Sequence, residues 1–278
     1  MPGLSEVEPV SIRTPFGEPS DAYHRGRLGD TELVFLSRHG RGHRQMPSEI
    51  NHRANIFGFK TLGIERVVAI SAVGSLQESI RPRDVVLPDQ YFDRTKTSAD
   101  HTFFGDGLVA HVAFAEPVCR RLRAVLFAAE KEIATEQPFT GLRVHDGGTY
   151  VNMEGPAFST KAESRTYRKL GFDVIGMTSL PEAKLCREAE ICYAVLAMAT
   201  DYDCWHESEE AVTVAMVIEN LRSNAGFAHG MIRRLAAQDL AGDCTCRHAL
   251  ANAIITAPEA VPAEAKRKLA PIVGKYLV

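Results

Sequence analysis

The stretch CYAVLAMATDYDCW, residues 192–205, decides how the rest of the chain is read. Its first eight residues are apolar without alternation. A strand with one wet face alternates polar and apolar side chains, so an unbroken run describes a strand covered on both faces, as in an α/β sheet. The run then stops at two aspartates one residue apart, Asp201 and Asp203, followed by the only tryptophan of the chain, Trp205. Open α/β sheets bind ligands outside the carboxyl ends of their strands, so this abrupt change from grease to charge marks a candidate site.

Working outward, similar short apolar runs recur as TELVFL (31–36), RVVAIS (66–71), DVVLPDQYF (84–92) and DVIGM (173–177). Helical patterns lie between them. In EPVCRRLRAVLFAAEKEI (116–133), Val118, Leu122, Val125, Leu126, Ala129 and Ile133 repeat at offsets of three and four and form one apolar stripe. STKAESRTYRKLG (159–171) predicts a helix with Ser159 as N-cap, Glu163 in its early turns and Gly171 at its end. Residues 211–240 read as a long helix weakened near Gly226. Strands alternating with helices predict a single α/β domain over 1–278, with a central sheet flanked by helices. Residues 241–278, including the Pro-punctuated stretch 256–271, read as a C-terminal helical extension.

Composition narrows the function. With 278 residues, 45% hydrophobic and 24% charged, the chain can bury a full core. A net charge of −3 carries no signature of nucleic-acid or anionic-membrane partners, which leaves small metabolites. No apolar run approaches the about eighteen residues of a membrane span, and the acidic start MPGLSEVEPV lacks the basic and apolar regions of a signal peptide. A cytoplasmic protein is expected. Of six cysteines only Cys244 and Cys246 form a close pair, and C-x-C lacks the second pair expected of a structural zinc site, so no metal site is expected.

Polar chemistry collects after the putative strands, in SRHGRGH, SAVGS, DQYFDRT, GMTSLPE and TDYDCW. Any one of these could be an ordinary turn. Five together predict one composite site. Arg38 can grip an oxyanion bidentately with His39 beside it, although a solvated basic loop has the same composition. SAVGS adds the Ser71 hydroxyl, the small Ala72 and backbone N–H groups near Gly74 that could form an anion nest. It is not a P-loop, which favours free phosphate over a nucleoside triphosphate. Asp201 and Asp203, as i and i+2 of an extended chain, would share a face. Ionised carboxylates only accept hydrogen bonds, so the pair suits a ligand edge of donors such as an exocyclic amine and a ring N–H. A divalent metal, or a helix cap at Asp203, are the other readings of D-x-D.

Five segments together resemble a known family: RHGRGHRQMPSEINHRANIFGFK, SAVGSLQESIRPRDVVLPDQYFDRT, NMEGPAFSTKAES, GMTSLPEAKLCREAEICYA and ATDYDCW. They are similar to the S-methyl-5′-thioadenosine phosphorylases of the trimeric purine nucleoside phosphorylase family. The resemblance spans about residues 9–240 and extends to CRHALANAIITAPEAVP. It implies a mixed-sheet α/β domain, a homotrimer, and the reversible phosphorolysis of methylthioadenosine to adenine and methylthioribose 1-phosphate. By the same resemblance Arg38, His39, Ser71, Ala72 and Thr178 would hold phosphate. Phe158 would pack on the purine, Met177 against the sugar, and His111 would reach a neighbouring subunit's site. Asp201 and Asp203 would be catalytic and would recognise N7 and the 6-amino group, with Asp201 donating the proton to N7. Phosphate is a co-substrate, and neither a metal nor an organic cofactor is implied. The Cys244–Cys246 pair resembles a C-x-C that is disulfide-bonded in some thermophilic relatives, and here it is expected to stay reduced.

One departure stands out. Family members begin with a strand and a Gly-rich loop whose hydroxyl residue binds phosphate, whereas this chain has only PGL near that place. The expectation is that this strand and loop are absent, or lie upstream of Met1. The resemblance leaves two other functions open: a phosphorylase for 6-oxopurine nucleosides, which the two aspartates disfavour, and a non-catalytic purine binder if the loop is essential.

Overall fold

In the computed structural model, which describes residues 1, 3–96, 99–133, 135–136, 139, 141–206, 214–240 and 242–277, the run that opens at Cys192 is the central element. Strands β1 (Ser5–Val10), β2 (Tyr23–Leu28) and β3 (Thr31–Phe35) come first, and helix α1 (His52–Thr61) follows them. Then come β4 (Arg66–Ser75), β5 (Val85–Leu87), β6 (Gln90–Arg94), α2 (Arg120–Ile133), β7 (Val144–Asp146) and β8 (Thr149–Met153). The remaining elements are α3 (Lys161–Lys169), β9 (Val174–Gly176), α4 (Ser179–Glu188), β10 (Cys192–Asp201), α5 (Val214–Ala236), α6 (Ala263–Lys268) and α7 (Ala270–Val273).

Seven strands form one mixed sheet in the order β6-β8-β9-β4-β10-β5-β7. At its centre β10 runs parallel to β4 and antiparallel to β5. Every residue of β10 is buried, and alternation along the strand explains why. Tyr193 and Val195 face the core built on α1 and α4, while Cys192, Ala194, Leu196 and Met198 face the core built on α2 and α5. Two helical layers leave no wet face, so neither parity of position can be polar. The unbroken apolar run is the sequence trace of that burial.

Several expectations need amending. TELVFL does form a strand, but β3 belongs to a separate three-stranded antiparallel sheet with β1 and β2. It pairs back on β2 as a hairpin and never enters the seven-stranded sheet. Among the described residues, that larger sheet takes no strand from before Arg66. DVVLPDQYF is not one strand: it divides at Pro88 into β5 and β6, since proline cannot donate to a ladder. The α3 N-cap is Thr160 rather than Ser159. Its hydroxyl accepts from the Glu163 N–H at 3.2 Å, and the Glu163 carboxylate accepts from the Thr160 N–H at 2.9 Å. Helix α5 runs unbroken through Gly226, and residues 211–213 of that expected helix lie outside the described residues. No helix among the described residues is long and apolar enough to cross a membrane.

Candidate active site

The carboxyl ends of β4 and β10 open into a cavity of about 1,100 Å³, enough for a nucleoside and an anion together. Four of the five polar clusters line it. SRHGRGH contributes Arg38, His39 and His43, SAVGS contributes Ser71 to Gly74, GMTSLPE contributes Gly176 to Thr178, and TDYDCW contributes Thr200, Asp201 and Asp203. The fifth, DQYFDRT, stands apart on β6, where Asp93 pairs with Lys184 at 2.7 Å. Helix α5 closes one wall with Ala225, Ala228, His229 and Ile232.

At the β10 end the two carboxylates meet, though not through an extended chain. Asp203 sits in the left-handed region at φ 52°, and its N–H turns back to donate to Asp201 Oδ1 at 2.8 Å. This is an Asx-type turn. Trp205 fixes the turn from outside: its indole N–H donates to the Ser75 carbonyl at 2.7 Å, and the Arg168 guanidinium lies over its ring at 3.3 Å. Opposite, Gly74 supplies space. A Cβ there would lie 3.0 Å from Asp201 Oδ1 and 3.2 Å from Asp203 Cβ. The ladder slips at this point, since Ala199 pairs with Val73 and Asp201 with Gly74, leaving Thr200 as an extra residue on β10. The Thr200 hydroxyl reaches two acceptors, Asp201 Oδ2 at 2.7 Å and the Val73 carbonyl at 3.3 Å. Burial pushes the Asp203 carboxyl above its ordinary value.

The other end suits an anion. Thr178 is the N-cap of α4, and its hydroxyl makes no capping bond, so the hydroxyl, at the positive end of the helix, is available to a phosphate. Asn152 holds that terminus against β8 by accepting from the Leu180 N–H at 3.0 Å. Arg38 is not an open fork: it donates to Glu182 Oε1 at 2.7 Å and to the Ile70 carbonyl at 2.6 Å. Its Nε has no acceptor among the described residues. Burial alone would lower the Arg38 pKa, but the Glu182 carboxylate outweighs it and keeps the guanidinium charged. Glu182 is itself fixed by the Tyr193 hydroxyl at 2.8 Å, which meets Ser179 at 2.9 Å, and Ser179 meets Tyr91 at 2.6 Å. His39 Nδ1 lies 2.9 Å from the Gln45 carbonyl, which assigns the proton to Nδ1 and turns Nε2 elsewhere. Burial lowers the His39 pKa, so the ring is neutral at neutral pH. The expected anion nest at SAVGS is not formed. Residues 71–75 are ladder residues of β4, and their backbone is extended rather than curled.

Met177 lines the cavity, with its Sδ only 2.5 Å from where a Cβ on Gly155 would lie. Phe158 stands on the rim and is 51% exposed. His111 is not in this cavity: it is exposed on the loop that pairs with the C-terminal region, and its N–H donates to the Ala253 carbonyl at 2.8 Å. Sequence reasoning missed Glu182 and Thr200. A glutamate inside the apolar helix SLPEAKLC was a readable signal for the first, and nothing in the sequence marked the second.

Comparison with known proteins places this geometry. Residues 1–237 match the model of the phosphorylase superfamily. The S-methyl-5′-thioadenosine phosphorylase of Geobacter sulfurreducens is 52% identical over 278 residues, covering 100% of this chain and 95% of the relative. That of Koribacter versatilis is 54% identical, covering 99% and 92%. The crystal structure of a methylthioadenosine phosphorylase from an antarctic soil metagenomic library superposes with a TM-score of 0.91 at 46% identity, covering 98% of this chain and 94% of the other. The Schistosoma mansoni methylthioadenosine phosphorylase in complex with adenine gives 0.78 at 36% identity, covering 87% and 90%.

Proposed function

The chain belongs to the phosphorylase superfamily, and on that footing we propose that it is a pentosyltransferase that cleaves S-methyl-5′-thioadenosine with phosphate, giving adenine and 5-methylthioribose 1-phosphate. The observation that carries the reading is one cavity with a carboxyl pair at one end and an Arg-His-helix-terminus cradle at the other. Relatives named for this activity are about half identical over the whole chain.

In this reading the purine edge faces Asp201 and Asp203. Breaking the C1′–N9 bond leaves negative charge on the base, and a proton delivered to N7 neutralises it. Asp201 delivers that proton. Its Oδ2 can carry one because the Thr200 hydroxyl can turn to the Val73 carbonyl, 3.3 Å away. General acid catalysis of this kind contributes about 10²–10⁴-fold. Asp203 accepts from the 6-amino group, and burial pushes its carboxyl above the ordinary value. Phosphate sits between Arg38, His39, Ser71, Ala72 and the Thr178 end of α4. From there it stabilises the electron-poor sugar and attacks C1′ with inversion. Glu182 is a positioning residue that aims Arg38. Met177 lies against the sugar, Phe158 covers the base, and His111 completes the site of a neighbouring copy in a homotrimer. The reaction needs no cofactor besides its phosphate co-substrate, and the cytoplasm is where such salvage takes place.

The deciding experiment is adenine release from methylthioadenosine by the 278-residue chain, with and without phosphate, beside an inosine control. Phosphate-dependent release of adenine is the expected result. Folded protein that binds adenine and turns nothing over would overturn the proposal, and faster cleavage of inosine would move the specificity to 6-oxopurines.

A further inference from the structure

We propose that Cys119, Cys192, Cys244 and Cys246 form a structural zinc site with four thiolate ligands at the end of β10 remote from the cavity. The Sγ atoms of these four residues all lie within 4.8 Å of one another. Cys119 and Cys244, 125 residues apart in the chain, have their sulfurs 3.6 Å apart. A tetrahedron with zinc–sulfur bonds of about 2.3 Å has sulfur–sulfur edges of roughly 3.8 Å, so the four thiols already mark out its size.

Each ligand comes from a separately anchored element. Cys192 begins β10, and its N–H donates to the Glu65 carbonyl at 2.9 Å. Cys119 precedes α2, and its N–H donates to the Tyr193 carbonyl at 2.8 Å. Cys244 and Cys246 bracket the start of a short 3-10 turn, Thr245–His248, beyond α5. The close pair of the sequence therefore does have a second pair, delivered by the fold rather than by spacing. Cys119, Cys192 and Cys246 are buried, and Cys244 is half-buried at the mouth.

The surroundings suit a charged centre. The Leu122 N–H points at Cys119 Sγ at 3.5 Å, the kind of backbone donor that orients a metal-bound thiolate. A cavity of about 10 Å³, roughly the room one water needs, is lined by Cys119, Cys192 and Cys244 together with Arg66 and Arg121. When zinc binds, four S–H bonds break, four protons leave, and four zinc–sulfur bonds form. The centre then carries two net negative charges beside those two guanidiniums. It would pin the segment after α5 to both the sheet and α2, and clips that close long loops stabilise most.

The test is elemental analysis of the full chain purified with a thiol reductant and no chelator, and it does not read catalysis. About one zinc per chain is expected. Cobalt substitution should give the intense visible bands of a tetrahedral tetrathiolate. Cys244→Ser, at the half-exposed position, should lose most of the metal while keeping phosphate-dependent adenine release. Absence of zinc with all thiols titrating free after unfolding would overturn the proposal. So would a chain lighter by two hydrogens per disulfide, with Cys119 or Cys192 joined to the C-x-C pair. Failure of the phosphorylase reading would appear in the activity assay alone and leave the metal content unchanged.

Discussion

The two ends of β10 are built from the same strand and do opposite things. At Asp201 the ladder is irregular, a hydroxyl has two acceptors, and a carboxyl is held against its solvation preference. At Cys192, nine residues earlier and about 30 Å away at about 3.3 Å per residue, four thiols converge with their supporting backbone bonds in place. The difference teaches that the irregular ladder and the paired carboxyls belong to the ligand end, where they do chemistry, while the other end gathers thiols around regular backbone bonds. If this is right, substitutions at the ligand end change turnover with little effect on melting, and those at the far end do the reverse.

The largest effect is expected at Asp201. Asp201→Asn, whose amide oxygen can still accept from the Asp203 N–H, should lower kcat/KM for methylthioadenosine by about 10²–10⁴-fold, with the melting temperature nearly unchanged. A comparable fall in stability would break the comparison. Next comes a far-end group, Glu188 at the close of α4, whose burial pushes its carboxyl from an ordinary 4.5 to about 7. Hydrogen bonds from the Phe103 N–H and the Thr102 hydroxyl, both at 2.7 Å, only partly offset that. Because the folded state holds this proton more tightly than the unfolded chain, stability falls as pH rises from 4.5 to 7 and the full penalty is present above that window. The magnitude is at most about 3.5 kcal/mol at 1.36 kcal/mol per pH unit. Thermal melts across the window should show Glu188→Gln flattening the slope while kcat stays put.

Gly74→Ala returns to the ligand end. Its new methyl meets Asp201 Oδ1 at 3.0 Å, and displacing a positioned catalytic group by about 1 Å can cost on the order of 10²-fold in rate. It should appear as a roughly tenfold or greater loss of kcat/KM, and unchanged kinetics would mean that the carboxyl pair tolerates displacement. The smallest effect is expected from Thr200→Val, which removes the switching hydroxyl. A loss of about 1 kcal/mol in transition-state stabilisation, with a shifted pH profile and an unaltered phosphate KM, separates its role from a purely structural one.

The central strand, the amphipathic α2 and four of the five polar clusters could be read directly, because burial on two faces and a 3.6-residue stripe leave periodic traces. What could not be read depended on contacts across long stretches of chain. The pairing of β3 away from the main sheet, the Arg38–Glu182 bond across 144 residues and the gathering of Cys119 with Cys244 have no local signature. Asp201 and Asp203 were rightly placed in one pocket, but by the wrong geometry. Period-two alternation predicted a shared face, whereas a left-handed turn at Asp203 brings them together.

The slipped pairing at Thr200 has a consequence for engineering. Deleting that one residue would let Asp201 fall into ordinary step beside β4 and would tidy the hydrogen bonding of the sheet's central parallel pair. It would also swing both carboxyls away from the pocket, since a one-residue slip reverses every side chain beyond it. A redesign scored on regularity alone would therefore delete the residue that sets the phase of the site, and would report an improvement.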